Sequence, residues 1–122
     1  MVPMPLYKEQ PGYIMNSLLA PFIDAGLQLL AKEVADPHTI DKTWMIVTGA
    51  PVGPFGILDT IGINTAYNIT KMSAERTQSP VRFKAVKYLK EQLIDQNKLG
   101  AATGEGFYSY PNPAYMNPDF LK

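Results

Sequence analysis

A chain of 122 residues has room for one domain with a single core, and its 46% hydrophobic and 18% charged content is that of a globular protein. Eleven basic residues balance eleven acidic ones, so the clustered positive charge that neutralises nucleic-acid phosphates is missing. The lack of cysteine and the single histidine, His38, exclude disulfides, thiolate chemistry and a histidine metal site, and suit the cytoplasm.

Val2 to Lys8, with Pro3 and Pro5, reads as an extended lead-in or edge strand. It has neither the basic start nor the apolar block of a signal peptide. Pro11 suits the first turn of a helix predicted over about Gly12 to Val34. Tyr13 to Ala31 is the most apolar run of the chain, yet Asn16, Ser17, Asp24 and Gln28 interrupt it and Pro21 lies inside it. An aspartate at mid-bilayer costs about 2.5–3.5 kcal/mol, so the run is expected to be a helix of a soluble protein and not a membrane span.

"ADPHTID" (Ala35 to Asp41) breaks the helix, because Pro37 disfavours helical geometry at Asp36. A second helix is predicted over about Thr39 to Thr48 with Thr39 as N-cap, although Lys42 stands where a capping box carries an acid. "TGAPVGPFG" (Thr48 to Gly56) packs glycines and prolines into a shaped turn. It lacks the spacing, the preceding strand and the lysine of a phosphate loop, and reads as a helix-to-helix connection. Phe55 to Ile61 and Asn64 to Arg76 follow as two helical pieces joined at Gly62. A helix over about Pro80 to Gln96 repeats apolar positions at Val81, Ala85, Tyr88/Leu89 and Gln92/Leu93. "KLGAATGEG" ends it, "FYSY" (Phe107 to Tyr110) is a short extended aromatic stretch, and the proline-rich tail wraps over the surface. The fold class is all-α, with a long first helix, minor sheet content and no parallel sheet.

Candidate site residues cluster at the start of the first helix. At about 100° per residue, Ser17, Asp24 and Gln28 form one narrow polar stripe, whereas Asn16 shares the face of Ala20, Ile23, Leu27 and Leu30. A buried amide without a partner costs about 1–3 kcal/mol, so Asn16 needs backbone, a side chain, water or a ligand. Apolar residues cover most of this helix, more than four or five helices enclose, which predicts a second subunit as cover. His38 sits in a loop and reads as solvated or locally hydrogen-bonded. Glu91 and Asp95, near Lys87 and Lys90, read as a solvated face. No self-contained active site emerges.

"YKEQPGYIMNSLLAPFIDAGLQLL", "DPHTIDKTW", "TGAPVGPFGILDTIGIN" and "LGAATGEGFYSY", in that order, resemble the C-terminal domain of the L-3-hydroxyacyl-CoA dehydrogenase family. The ending "YPNPAYMNPDFLK" is similar to the diketoreductase and lambda-crystallin-like (gulonate dehydrogenase) branch. The resemblance implies a single helical domain over 1–122, of the type that ends 6-phosphogluconate dehydrogenases. It also implies a parent that oxidises or reduces at CH–OH with NAD, in a setting of fatty-acid metabolism. The Rossmann domain that binds NAD and carries the histidine–glutamate pair is absent from this chain, so the chain alone is expected to be inactive and to hold no cofactor and no metal. Asn16 takes the place of the asparagine of the family's "GYIxN" motif, which implies a catalytic and substrate-binding role, with Ser17 beside it at the substrate. Two positions depart from the pattern: Ser17 replaces an arginine common in acyl-CoA enzymes, and Ala102 replaces a lysine that reaches the cofactor. Both favour a smaller hydroxy acid or keto ester over a CoA ester. Expected partners are a small-molecule substrate and a second copy of the chain in a homodimer, with no nucleic acid and no membrane. The competing reading is a stand-alone helical dimerisation or binding module without a catalytic role.

Overall fold

The computed structural model describes residues 13–121, with side chains from Ser17 onward. The lead-in predicted over Val2 to Lys8, and the helix start at Gly12, lie outside the described residues. Five helices follow in order: α1 (Tyr13–Ala31), α2 (Pro37–Thr48), α3 (Pro54–Ile61), α4 (Ile63–Thr77) and α5 (Pro80–Gln92). Short 3-10 turns over Ile94–Gln96, Ala101–Thr103, Ala114–Met116 and Pro118–Leu121 complete the chain. Among the described residues there is no strand. "FYSY" is fastened by single bridges, Gly100 to Glu105 and Glu105 to Ser109, in place of an extended stretch.

Proline and aspartate decide where the helices begin. Pro37, Pro54 and Pro80 each sit in the first turn of their helix, where no N–H is needed. The cap of α2 is Asp36 and not Thr39. The Asp36 carboxylate accepts the Thr39 N–H at 3.2 Å, so the helix starts two residues earlier than predicted. α1 ends at Ala31 because Glu33 turns left-handed (φ 59) and the Val34 N–H reaches back to the Leu29 carbonyl. α5 stops at Gln92, short of the predicted Gln96: Leu93 leaves helical geometry (ψ −63, φ −124) to bury its side chain, and Asn97 (φ 59) closes the last turn.

The core gathers Leu27, Leu30 and Ala31 of α1, Phe55 and Leu58 of α3, Ile63 and Ala66 of α4, and Ala85 and Leu89 of α5, closed by Tyr108. The expectation that α1 is enclosed on nearly all sides is not met within one chain. Leu18 is 70% and Leu29 40% exposed, and Ala20, Pro21 and Ala25 also face out.

Candidate functional site

Asn16 stands in the first turn of α1, and its side chain lies outside the described residues. Ser17 is half-buried. Of the face assigned to Asn16, Leu27 and Leu30 are in the core and Ile23 packs against it, but Ala20, one turn beyond Asn16, is exposed. The polar stripe is not an outer, solvated one beyond Ser17. Gln28 donates to Asp24 at 2.7 Å, and Arg82 of α5 donates to both Asp24 oxygens, from Nε at 3.0 Å and Nη2 at 2.8 Å. The bidentate geometry bolts α1 to α5. The hydrogen-bonded Arg82 guanidinium holds the Asp24 carboxyl below its ordinary pKa against the opposing effect of burial.

Beside the bolt, Phe22 tilts against Trp44 of α2 with ring centroids 4.6 Å apart. Gly26 faces Pro54 of α3 so closely that a Cβ there would lie 3.1 Å from the Pro54 Cβ. The middle of α1 is therefore held from three sides. Its outer side carries Leu18, Ala25 and Leu29, exposed and apolar, in line with the half-buried Phe22. Trp44 (42% exposed) and Val47 (76%) extend it across α2.

Two buried carboxylates, which the sequence reading passed over, organise the far end of the domain. Asp41 of α2 and Asp59 of α3 are 0% and 1% exposed. Asp41 accepts the Phe55 and Gly56 N–H groups at 2.8 and 2.9 Å and the Tyr108 hydroxyl at 2.8 Å. Gly53, which caps α3, has no side chain to offer, so Asp41 caps that helix from its neighbour. A Cβ at Gly53 would lie 2.6 Å from the Asp41 carboxyl carbon, which explains the glycine. Asp59 accepts the Phe107 N–H at 2.8 Å, the Tyr108 N–H at 3.0 Å and the Tyr110 hydroxyl at 2.9 Å. The "TGEGFY" turn is shaped around it: a Cβ on Gly106 would lie 2.2 Å from Asp59 Oδ1. Burial pushes both carboxyls above their ordinary pKa, outweighing the hydrogen bonds that favour the charge. Tyr108 and Tyr110 are likewise pushed up, first by burial. The signal for both aspartates was available in the sequence: each lies one turn from an apolar residue of its helix's inner face, Met45 for Asp41 and Phe55 for Asp59.

His38 stands in the first turn of α2 and not in a loop, and its partner is not local but 69 residues away. Its Nε2 lies 2.9 Å from the Phe107 carbonyl, and its ring stacks on Tyr108 with centroids 4.1 Å apart. Asp95 pairs with Lys90 at 3.3 Å in an exposed bridge. Two surface hollows, about 390 and 350 Å³, flank Tyr88 and Asp36 at the α1 C-terminus. Leu30, which lines the first, is roughly 21 Å along the helix from Asn16. Among the described residues no group of three or more metal-ligating side chains comes together. No helix among them is long and apolar enough to cross a membrane.

The start of α3 does not fit a dinucleotide phosphate. The helix start that a glycine-rich turn precedes, at α3, already holds the protein's own anion: Asp41 occupies the Phe55 and Gly56 N–H groups a phosphate would need.

A family model described as "3-hydroxyacyl-CoA dehydrogenase, C-terminal domain" matches residues 12–110. The mitochondrial hydroxyacyl-coenzyme A dehydrogenase of Homo sapiens is 36% identical over 107 residues, covering 84% of this chain and 32% of the relative. That of Sus scrofa is 34% identical over 103 residues, with the same coverage of 84% and 32%. Among solved structures, a diketoreductase described for substrate-directed dual catalysis of dicarbonyl compounds superposes with a TM-score of 0.83 at 55% identity, covering 90% of this chain and 37% of that one. An (S)-3-hydroxybutyryl-CoA dehydrogenase from Ralstonia eutropha gives a TM-score of 0.65 at 27% identity, with coverage of 86% and 36%. The chain thus spans about a third of the length of the relatives it matches. With the motifs in order, the all-α architecture and a match over almost all its helices, the chain belongs to the 3-hydroxyacyl-CoA dehydrogenase family, as its C-terminal domain.

Proposed function

We propose that this chain is the dimerisation and substrate-cleft part of an NAD-dependent oxidoreductase that interconverts a 3-hydroxy substrate and its 3-keto product. The reading is supported above all by 55% identity to a diketoreductase across nine-tenths of the chain, against about a third identity to the hydroxyacyl-coenzyme A dehydrogenases. The small dicarbonyl or hydroxy acid class is therefore favoured over CoA esters, in line with Ser17 and Ala102. Asn16 hydrogen-bonds the substrate and Ser17 lines the cleft beside it; both stand in the first two turns of α1. The nicotinamide cofactor and the proton-transferring groups are assigned to the other two thirds of such an enzyme, because this chain matches only the C-terminal domain of its relatives. The chain alone is inactive. The cytoplasm is proposed as its compartment, on its cysteine-free composition.

The uncovered residues Leu18, Ala25 and Leu29, with Trp44 and Val47 beside them, support a homodimer. Burying exposed apolar surface contributes about 25 cal/mol per Å², the usual driving force for such a seam. Light scattering should give the dimer mass for the wild type and the monomer mass for a Leu18→Glu/Leu29→Glu variant; a wild-type monomer at micromolar concentration refutes the dimer. For activity, the longer protein containing this chain should oxidise NADH with a diketo ester, and Asn16→Ala should lower kcat at least ~100-fold. Full activity of Asn16→Ala, or activity of residues 1–122 alone, overturns the assignment.

A further inference from the structure

Proline in a helix interior removes one intrahelical hydrogen bond, and its ring presses on the carbonyl four residues earlier, so it kinks and destabilises the helix. Pro21 is the ninth residue of the nineteen in α1. It is exposed, so packing within the chain does not explain it. Its place is between two functional stretches. On its C-terminal side lie the three contacts that fix the middle of α1: Phe22 on Trp44, Asp24 on Arg82 and Gly26 on Pro54. On its N-terminal side lies Asn16, roughly 9 Å along the axis before Phe22.

We propose that Pro21 is a positioning residue for Asn16, setting the course of the first two turns of α1 relative to the part of the helix clamped at Phe22, Asp24 and Gly26. The inference rests on the substrate-binding reading of Asn16. A straight helix would be the more stable one, because alanine at this position regains the missing hydrogen bond. A bend of even ten degrees over that lever moves the asparagine by about 1.5 Å, and misplacement of about 1 Å can cost 100-fold in rate.

The test compares wild type, Asn16→Ala, Pro21→Ala and Pro21→Gly in the longer protein, with NADH and a diketo ester, measuring kcat, KM, Tm and mass in solution. Pro21→Ala should lower kcat at least ~10-fold with KM within about twofold, while Tm rises by ~5 °C or more and the mass is unchanged. Pro21→Gly restores the N–H without alanine's helix propensity, and should share the loss in kcat with a smaller gain in Tm. A residue serving stability alone would not lower the rate while Tm rises. Wild-type kcat in Pro21→Ala, or a change confined to KM, overturns the inference while Asn16→Ala is inactive. A fall in Tm or a change in mass that accompanies the loss in kcat overturns it too, by making Pro21 a packing or interface residue. An inactive wild type, or a fully active Asn16→Ala, instead refutes the reading of Asn16.

Discussion

Replacing Asp59 with asparagine separates a carboxylate that organises the fold from one that is merely buried. Three donors converge on its two oxygens: the N–H groups of Phe107 and Tyr108 and the hydroxyl of Tyr110. An asparagine has one oxygen, so its NH2 must face a donor. Turned toward the Oδ1 position it meets the Phe107 N–H; turned toward Oδ2 it meets the Tyr108 N–H, although the Tyr110 hydroxyl can rotate to accept. Either way one buried backbone N–H is left unpaired, which costs about 1–3 kcal/mol, and the surviving bonds lose their charge assistance. Against this, the neutral amide is relieved of the burial that raises the Asp59 pKa. The loss of hydrogen bonding should win, for a net destabilisation of about 2 kcal/mol. For a domain of this length that is a fall in Tm of ~8 °C. Asp59→Ala, which frees all three donors and opens a cavity, should cost ~4 kcal/mol. Urea denaturation of residues 1–122 followed by circular dichroism measures both, and hydrogen exchange should show the Phe107 and Tyr108 amides losing protection first. An Asp59→Asn protein as stable as the wild type, or more so, would mean that desolvation outweighs the hydrogen bonds and that the carboxylate does not hold the turn.

The glycines of that turn carry a graded expectation. Gly106→Ala drives a methyl into Asp59 Oδ1 and should cost more than 2 kcal/mol. Gly104→Ala meets nothing within 4 Å and bears only the left-handed strain of φ +85, about 1 kcal/mol; equal effects in urea titrations would contradict this packing. The pH dependence of stability should have two opposed limbs. The Asp24 pKa is lowered in the folded state, so its contribution is present above the ordinary value of 3.8 and is lost as pH falls through the folded pKa. The Asp41 and Asp59 pKa values are raised, so the folded state holds their protons more tightly, and stability falls as pH rises from 3.8 through the raised values. Asp24→Asn should flatten the acid limb alone and Asp59→Asn should flatten the limb above it; Tm curves from pH 2 to 7 with unchanged limbs would refute the assignment.

The sequence by itself determined the class and the helix order, and the proposal for Asn16 and Ser17 rests on it. Those properties are local or periodic: Pro80 starts a helix, Pro37 separates α1 from α2, Gly62 separates α3 from α4, and the spacing from Val81 to Ala85 and Leu89 marks one inward face. The separation of Asn16 from Ser17 follows from helical geometry alone, while the chemistry assigned to Asn16 came from the "GYIMN" motif and not from its position. The tertiary structure decided what lies between segments distant in the chain. Asp24 read as part of an outer stripe because Arg82, its partner, is 58 residues away. The inward facing of Asp41 and Asp59 could be read from their helices, but not what they hold, since their donors lie 14 to 67 residues away. Gly53 and Gly106 looked like ordinary turn glycines. Their reason is steric, the carboxylates of Asp41 and Asp59 filling the space a side chain would take. Periodicity records which way a residue faces; only the folded chain shows what it meets there, because burial and hydrogen bonding depend on atoms the local sequence does not contain.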